Sequence, residues 1–585
     1  MSAKLDVYRA ADYPIPETMW AWPLTGAGFD HVGEDGRPVS VPVPRYGPDE
    51  ILVRVDACGL CYSDVKLLRA GGSHPRMYGR DLTKDPTIPG HEASLTIVGV
   101  GANLRDRWHI GQRVIVQPDI YYQGKNLAWG YMLSGGFAQY SILGKEVLEG
   151  DEGCYLLPVD GDIPYAAAAL TEPWACVEAS YRIQQRPGPR PGGTVWLLGQ
   201  PGNDTTFDLE PLLTRDEKPE RVILTDLSPI IAERLLALAG EQGIRAERRD
   251  EAVPAGYAEL TQAITGSRGF DDVICLGVRD AETIAQAARQ LARGGVFVLS
   301  TDKSPSQPVS IDVGRIHYDD IRILTTHPPD VIGAYTRNLR VEPKAGGRAW
   351  FLGAGGPMGQ MHVLRAATMP APPRIIAASN LRSQRLDRLT GTVCPRCKER
   401  GIQFYHFTRE ALGEELYHRQ LHEAAANGFD DIVVLASSPS AVADALAHVT
   451  DGTVVNVFAG LPRGTEVPVD MRLLLDHNVR IIGSSGSRID DLRHTLEKAV
   501  RGELQPHHSV VAVASIEGVH EGLQGVAAGR FPGKVMIYPQ VEGLRLTMLE
   551  DLKEALPEVY NVLDEGPAWS GAAEEALLEA LWQMP

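Results

Sequence analysis

The chain has 585 residues, more than one hydrophobic core ordinarily organises, and so predicts three or more domains. Apolar residues at 44% and charged residues at 23% are the proportions of a globular protein. A net charge of −18, spread along the chain, disfavours nucleic acid and anionic membrane as partners but leaves the local charge of a substrate cleft open.

The first residues, MSAKLDVYRAADYPIPE, contain no apolar signal core, and no run of about eighteen apolar residues follows. Seven cysteines, an odd number with four of them in two C-x-x-C pairs, do not make a disulfide scaffold. A reducing, cytoplasmic setting with thiols available for metal is expected.

Residues 1–189 are rich in β-branched residues, Gly and Pro, and Ile51–Val55, Leu95–Val100 and Arg113–Gln117 read as short strands between turns. From residue 190 short apolar runs alternate with amphipathic stretches, as in Thr194–Leu198, Arg221–Thr225 and Pro229–Ala239. That is the βα rhythm of a doubly wound parallel sheet. The texture then repeats. Gly192–Gly199 resembles Gly346–Gly353, and Arg221–Leu224 resembles Arg374–Ala377. Gly269–Val273 returns as Gly428–Ile432, and Asp320–Leu324 as Asn478–Ile482. Four ordered matches at nearly one offset predict two tandem nucleotide-fold domains, residues 190–340 and 341–505. Strand-like texture resumes over 506–540, returning to the first domain. The tail 541–585 predicts a docked helix at Ala572–Trp582.

The second copy has a strand followed by Gly353-Ala354-Gly355-Gly356-Pro357-Met358-Gly359 and an apolar helix start. Small residues let the backbone approach a pyrophosphate, and the helix N-terminus offers amide N–H groups. Gly353, Gly355, Gly356, Pro357, Met358 and Gly359 are therefore the expected dinucleotide loop. Its second strand ends at Asn380, where an Asp or Glu would repel a 2′-phosphate, and Arg382 or Arg385 follows. NADP is favoured over NAD. In the first copy, Gly199-Gln200-Pro201-Gly202-Asn203-Asp204-Thr205 lacks the third glycine, and Asp204 would oppose a phosphate. Asp226 ends its second strand and keeps a ribose contact open. The first copy is expected to be degenerate and structural.

Three segments offer metal donors: Cys58-Gly59-Leu60-Cys61-Tyr62-Ser63-Asp64, then Gly90-His91-Glu92, then Glu172-Pro173. Thiolate, imidazole and carboxylate are zinc ligands, and a catalytic zinc site keeps one position open. Their order, C-G-x-C-x-S-D, G-H-E, E-P and then G-x-G-G-x-x-G, resembles the zinc-dependent medium-chain dehydrogenase/reductase superfamily. Polyol and sorbitol dehydrogenases and sorbose-1-phosphate reductases look most similar. Gly130–Tyr140, and Leu156–Pro158 leading into Ala166–Leu170, add to the resemblance, which spans residues 40–185 and 345–540. It implies an α/β protein: a GroES-like β-rich catalytic domain joined to two tandem Rossmann-type doubly wound parallel sheets.

The resemblance further implies that Cys61 and His91 bind one catalytic zinc and Cys58 does not. Of Glu92 and Glu172, one binds the metal and the other holds its water. Asp64 orients a ligand, and Ser63 passes the alcohol proton. No cysteine falls in Pro118–Gly136, so the family's structural zinc lobe is not expected. Cys394 and Cys397 read as a solvated thiol pair. Lys66, Arg69 and Arg80 flank the metal segments as possible contacts for a phosphorylated substrate. The implied activity is hydride transfer between NAD(P) and a secondary alcohol or ketone, a polyol or sugar derivative, in a homo-oligomer (dimer or tetramer). An isomerase, epimerase or lyase with tightly bound NAD(P), and a non-enzymatic nucleotide sensor, stay open as alternatives.

Overall fold

The computed structural model describes residues 3–203, 205–249, 253–337, 339–564 and 567–584. They form two compact units. One comprises Met1–Ala179, Gly355–Met361 and Gly486–Pro585; the other comprises Ser180–Ala354 and His362–Ser485.

The first unit is built on an eight-stranded sheet in the order Thr547–Met548, Val510–Ser515, Lys534–Tyr538, Ile51–Gly59, Glu92–Val100, Arg113–Val116 and Leu156–Pro158, with Tyr140–Leu143 also paired to Ile51–Gly59. Ile51–Gly59 and Glu92–Val100 are buried at every position, so both faces of the sheet centre are covered. The buried charge of Arg54 is paired with Asp56 at 2.7 Å and lies over the Tyr8 ring. The chain returns to this unit at Gly486, earlier than the texture change at 506 suggests. The reason is the helix Ile489–Val500, whose Ile489, Leu492 and Leu496 pack with Ile115, Ala168 and Ala175.

The tail helix is Gly571–Leu581, capped by Ser570 through the Ala573 N–H. It packs with the N-terminal helix Ala3–Ala10 around Tyr8, Trp569 and Trp582. Its buried Glu574 accepts hydrogen bonds from the Tyr165 and Ala166 N–H groups and from the Tyr538 hydroxyl. A carboxylate thus satisfies the N-terminus of helix Tyr165–Ser180, the helix that carries Glu172.

The second unit contains one sheet of twelve strands rather than two separate sheets. In chain order these are β1 (Thr194–Leu198), β2 (Arg221–Thr225), β3 (Arg245–Arg248), β4 (Phe270–Leu276), β5 (Leu291–Ser300), β6 (Arg322–Thr326), β7 (Arg348–Leu352), β8 (Ile375–Asn380), β9 (Gln403–Thr408), β10 (Phe429–Val434), β11 (Val449–Val457) and β12 (Arg480–Ile482). Their spatial order is β3-β2-β1-β4-β5-β6-β12-β11-β10-β7-β8-β9. Each half is parallel and runs 3-2-1-4-5-6, the Rossmann order. The halves meet at an antiparallel contact between β6 and β12, with Ile323 opposite Ile481. A separate antiparallel ribbon, Val309–Asp312 against Glu466–Val469, joins them again. The duplication seen in the sequence is therefore an internal two-fold arrangement that fuses two expected sheets into one.

Candidate active site

Cys61 stands at the start of helix Tyr62–Ala70, immediately after strand Ile51–Gly59. Gly90 precedes His91 with φ +96°, and a Cβ there would lie 2.6 Å from the Phe137 ring, so the turn that presents His91 requires glycine. His91 then leads into strand Glu92–Val100. These elements bring the donor atoms of Cys61, His91 and Glu92 within 4.8 Å of one another.

Asp64 organises two of the three. Its Oδ2 accepts the Cys61 backbone N–H at 3.0 Å, and its Oδ1 lies 3.0 Å from His91 Nδ1. An ionised carboxylate only accepts, so Nδ1 carries a proton, and Nε2 is the nitrogen left to ligate once a metal displaces any proton there. Burial disfavours the imidazolium of His91, but Asp64 and then Cys61 outweigh it and hold the pKa well above its ordinary value.

Glu92 is fully buried, and its Oε1 pairs with the Lys534 ammonium, on a strand 442 residues later. Burial pushes the Lys534 pKa down, but Glu92 and Cys61 overcome it and keep the pKa above its ordinary value. Glu92 Oε2 is buried with no hydrogen-bond partner. An orphaned carboxylate oxygen beside a thiol and an imidazole is what a metal site looks like before its ion is added. Sulfur, nitrogen and oxygen donors at this separation fit zinc.

Glu172 lies outside that compact trio. It is half-buried on helix Tyr165–Ser180, and its Oε1 accepts a weak hydrogen bond from the Cys176 thiol at 3.8 Å. Burial pushes its pKa up to about 7, with His91 opposing the rise and Glu92 adding to it. Ser63 is half-buried in the first turn after Cys61. Cys58 is buried on the preceding strand, directed to the Gly59 carbonyl, and is not part of the trio.

Other expectations change. Arg80 is consumed by Asp85, the Pro86 carbonyl and the Met132 carbonyl, so it buttresses a loop rather than meeting a substrate. Lys66 and Arg69 are exposed and lie by Tyr62. Cys394 and Cys397 sit on helix Gln384–Glu399; Cys394 is half-buried, whereas Cys397 is buried in the core beside Val393 and Ile402, so the pair is not solvated as a whole. Lys534 was missed because its partner is remote in sequence. The local signal was a lysine at the head of the wholly buried strand Lys534–Tyr538. Tyr131 was also missed; its ring lies 5.9 Å from that of His91 and 5.2 Å from the Arg76 guanidinium.

The loop after β7 runs into helix Pro357–Thr368. Gly353 has φ +93°, and a Cβ there would meet the Ala436 backbone nitrogen at 2.7 Å. Nothing lies within 4 Å of where a Gly356 Cβ would be, which leaves open space over the loop. Gly355, Pro357, Met358 and Gly359 occupy the rest of the turn and the first helical residues. Asn380 ends β8 and donates to the Arg382 carbonyl at 2.9 Å, which shapes the turn. Arg382 is exposed, 3.8 Å from Glu410. Burial and then the charge of Arg382 lower the Arg385 pKa, so the two guanidiniums share one region.

The alcohol dehydrogenase GroES-like domain model matches residues 47–149, the stretch that holds Cys61, His91 and Glu92. The chain is 29% identical over 303 residues to mannitol-1-phosphate 5-dehydrogenase of Aliivibrio fischeri, covering 48% of this chain and 70% of that protein. Residues 47–149 thus carry an alcohol dehydrogenase GroES-like domain. The chain is also 27% identical over 313 residues to L-sorbose 1-phosphate reductase of Klebsiella pneumoniae, covering 51% of this chain and 73% of the relative. An uncharacterized Escherichia coli protein, YggP, is 29% identical over 302 residues, covering 48% and 69% respectively. About half of the chain thus lies outside each match.

Proposed function

We propose that this chain is a zinc-dependent, NAD(P)-linked dehydrogenase that interconverts a secondary alcohol and its ketone on a polyol or sugar phosphate. The observation that carries this reading is the trio Cys61, His91 and Glu92, with one buried carboxylate oxygen unpartnered. When bound, zinc supplies a Lewis acid for the substrate oxygen and the nicotinamide supplies the hydride acceptor. Asp64 holds His91 in the tautomer that directs Nε2 to the metal and fixes the Cys61 backbone. Lys534 pins Glu92 Oε1, leaving Oε2 as the carboxylate donor. Glu172 holds water and a proton at the open side, and Ser63 carries the alcohol proton outward. Gly353, Gly355, Gly356, Pro357, Met358 and Gly359 take the pyrophosphate. Arg382 and Arg385 take a 2′-phosphate, so NADP is the expected cofactor. The substrate class follows the names of the relatives, which include mannitol 1-phosphate and L-sorbose 1-phosphate enzymes.

The test is formation of reduced cofactor with NAD and NADP across a panel of polyols and sugar phosphates, using protein of known zinc content. Net reduction of added NADP supports the reading. Substrate conversion with no net change in added cofactor would replace it with an isomerase that returns its hydride.

A further inference from the structure

A second group of metal donors lies away from Cys61, in the second half of the twelve-stranded sheet. His418 is on helix Glu414–Ala424; Asp444 is on helix Pro439–Leu446, and His448 follows that helix. His418 Nδ1 and His448 Nε2 are 3.0 Å apart. Asp444 Oδ1 is 3.7 Å from the first nitrogen and 3.9 Å from the second. Donors about 2.1 Å from a tetrahedral metal stand about 3.4 Å from one another, so these three atoms already define one face of a coordination tetrahedron.

The surroundings match. Asp444 is nearly buried, and its other oxygen accepts from Arg409 at 2.9 Å, which aims Oδ1 at the two imidazoles. Arg409 also binds Glu414, whose carboxylate lies 3.6 Å from His418 Nε2. A carboxylate on the far nitrogen of a ligating histidine sets its tautomer and strengthens its donor atom. The His–His contact needs one N–H between the rings. Moving the His418 proton from Nδ1 to Nε2, toward Glu414, frees both facing lone pairs with no net proton loss.

The first half of the sheet shows that the fold does not demand these residues. Tyr257 and Tyr417 occupy corresponding buried helix positions, and the carbonyls of Gln290 and His448 accept the matching Phe270 and Phe429 N–H groups. The counterparts of His418, Asp444 and His448 are then Ala258, Gln286 and Gln290. Gln290 there bonds to Thr261 and to the Gln286 carbonyl. One copy of the same architecture closes this place with amides, and the other places three metal donors in it.

We propose that His418, Asp444 and His448 bind a divalent transition-metal ion, zinc by its donor set, that ties helix Glu414–Ala424 to the end of helix Pro439–Leu446. With two imidazoles and one carboxylate, its fourth position is left to water. The ion is structural and separate from the Cys61 site.

The test is metal analysis of the full-length protein after equilibration with excess zinc and removal of free ion. Two zinc ions per chain are expected in the wild type. His418→Ala with His448→Gln, the residues the first half uses, should lose one ion and keep dehydrogenase turnover. Cys61→Ser should lose the other. Cobalt titration of Cys61→Ser checks the site without relying on that double variant's folding. Visible cobalt bands without thiolate charge transfer are expected, and Asp444→Asn or Glu414→Gln should weaken cobalt about 10- to 100-fold. An unchanged metal complement in the double variant, or no cobalt bands in Cys61→Ser, overturns this site. Retention of both ions by Cys61→Ser would count against the catalytic site alone.

Discussion

The two halves of the twelve-stranded sheet share a frame and differ where ligands would bind. Both carry Gly-Phe-Asp-Asp at the head of the fourth strand, and both show a register shift there. In the first half, Asp271 accepts from the Thr194 N–H, and Asp272 from Arg186 and the Arg190 N–H. In the second, Asp430 accepts from the Arg348 N–H, and Asp431 from Arg340 and the Lys344 N–H. Even the buried indoles match: Trp196 donates to Thr225, and Trp350 to Ser379, each at 2.9 Å. The loops diverge. After β7 a 12-residue helix begins at once, whereas after β1 the next helix is the four-residue Glu210–Leu213. Asn203 fills the space beside Gly277 that a loop over phosphate would leave open. Asp204, expected to oppose a phosphate, lies outside the described residues. What holds the sheet together was kept in both copies, and what would hold a nucleotide in one.

The largest effect should come from the loops. Gly353→Val should weaken NADPH binding by at least about 100-fold, because its Cβ meets backbone and its φ is positive. Gly202→Ala, with open space around it, should leave NADPH affinity unchanged within about twofold and lower stability by only about 1 kcal/mol. Fluorescence titration of NADPH compares them; equal losses would make the first loop a nucleotide site and end the contrast.

The shared frame should respond symmetrically. Asp272→Ala and Asp431→Ala each leave a largely buried guanidinium without its partner, and each should destabilise by about 3 kcal/mol in denaturant unfolding. A loss confined to one copy would mean the other half's bridge is ornamental.

The seam is a smaller target. Ile481→Ala, opposite Ile323 and buried, should lower stability by about 2 kcal/mol without changing molar mass in light scattering. β6 and β12 cover each other within one chain, so a homo-oligomer, if formed, does not use that edge. A halved mass in this variant would show that the seam also joins chains. The smallest effect is Arg382→Ala, which should weaken NADPH about fivefold and leave NADH unchanged, because the partner proposed for its guanidinium is the extra phosphate.

The repeated βα units and the Gly353 loop were legible because hydrophobic rhythm and glycine spacing are local signals. Cys61, His91 and Glu92 were legible as segments because their residue types and order carry the chemistry. The antiparallel β6–β12 seam was not legible, since nothing local records which edge strands meet. Lys534 was hidden for the same reason: its meaning depends on Glu92, which only the sheet brings beside it. The tail helix is legible in the sequence, but the role of its Glu574 is not, since it depends on the N-terminus of helix Tyr165–Ser180 packing beside it. The His418 group was overlooked because its i,i+4 spacings look like ordinary helix-surface pairs until the two helices pack together.

The central claim is that Cys61, His91 and Glu92 hold the metal on which turnover depends. It is tested most directly by comparing Cys61→Ser with the wild type for zinc content and for reduced cofactor formed with NADP and a sugar or polyol phosphate. The account predicts one zinc fewer per chain, turnover lower by at least about 1,000-fold, and unchanged NADPH binding. Full zinc content with undiminished turnover in Cys61→Ser would contradict it.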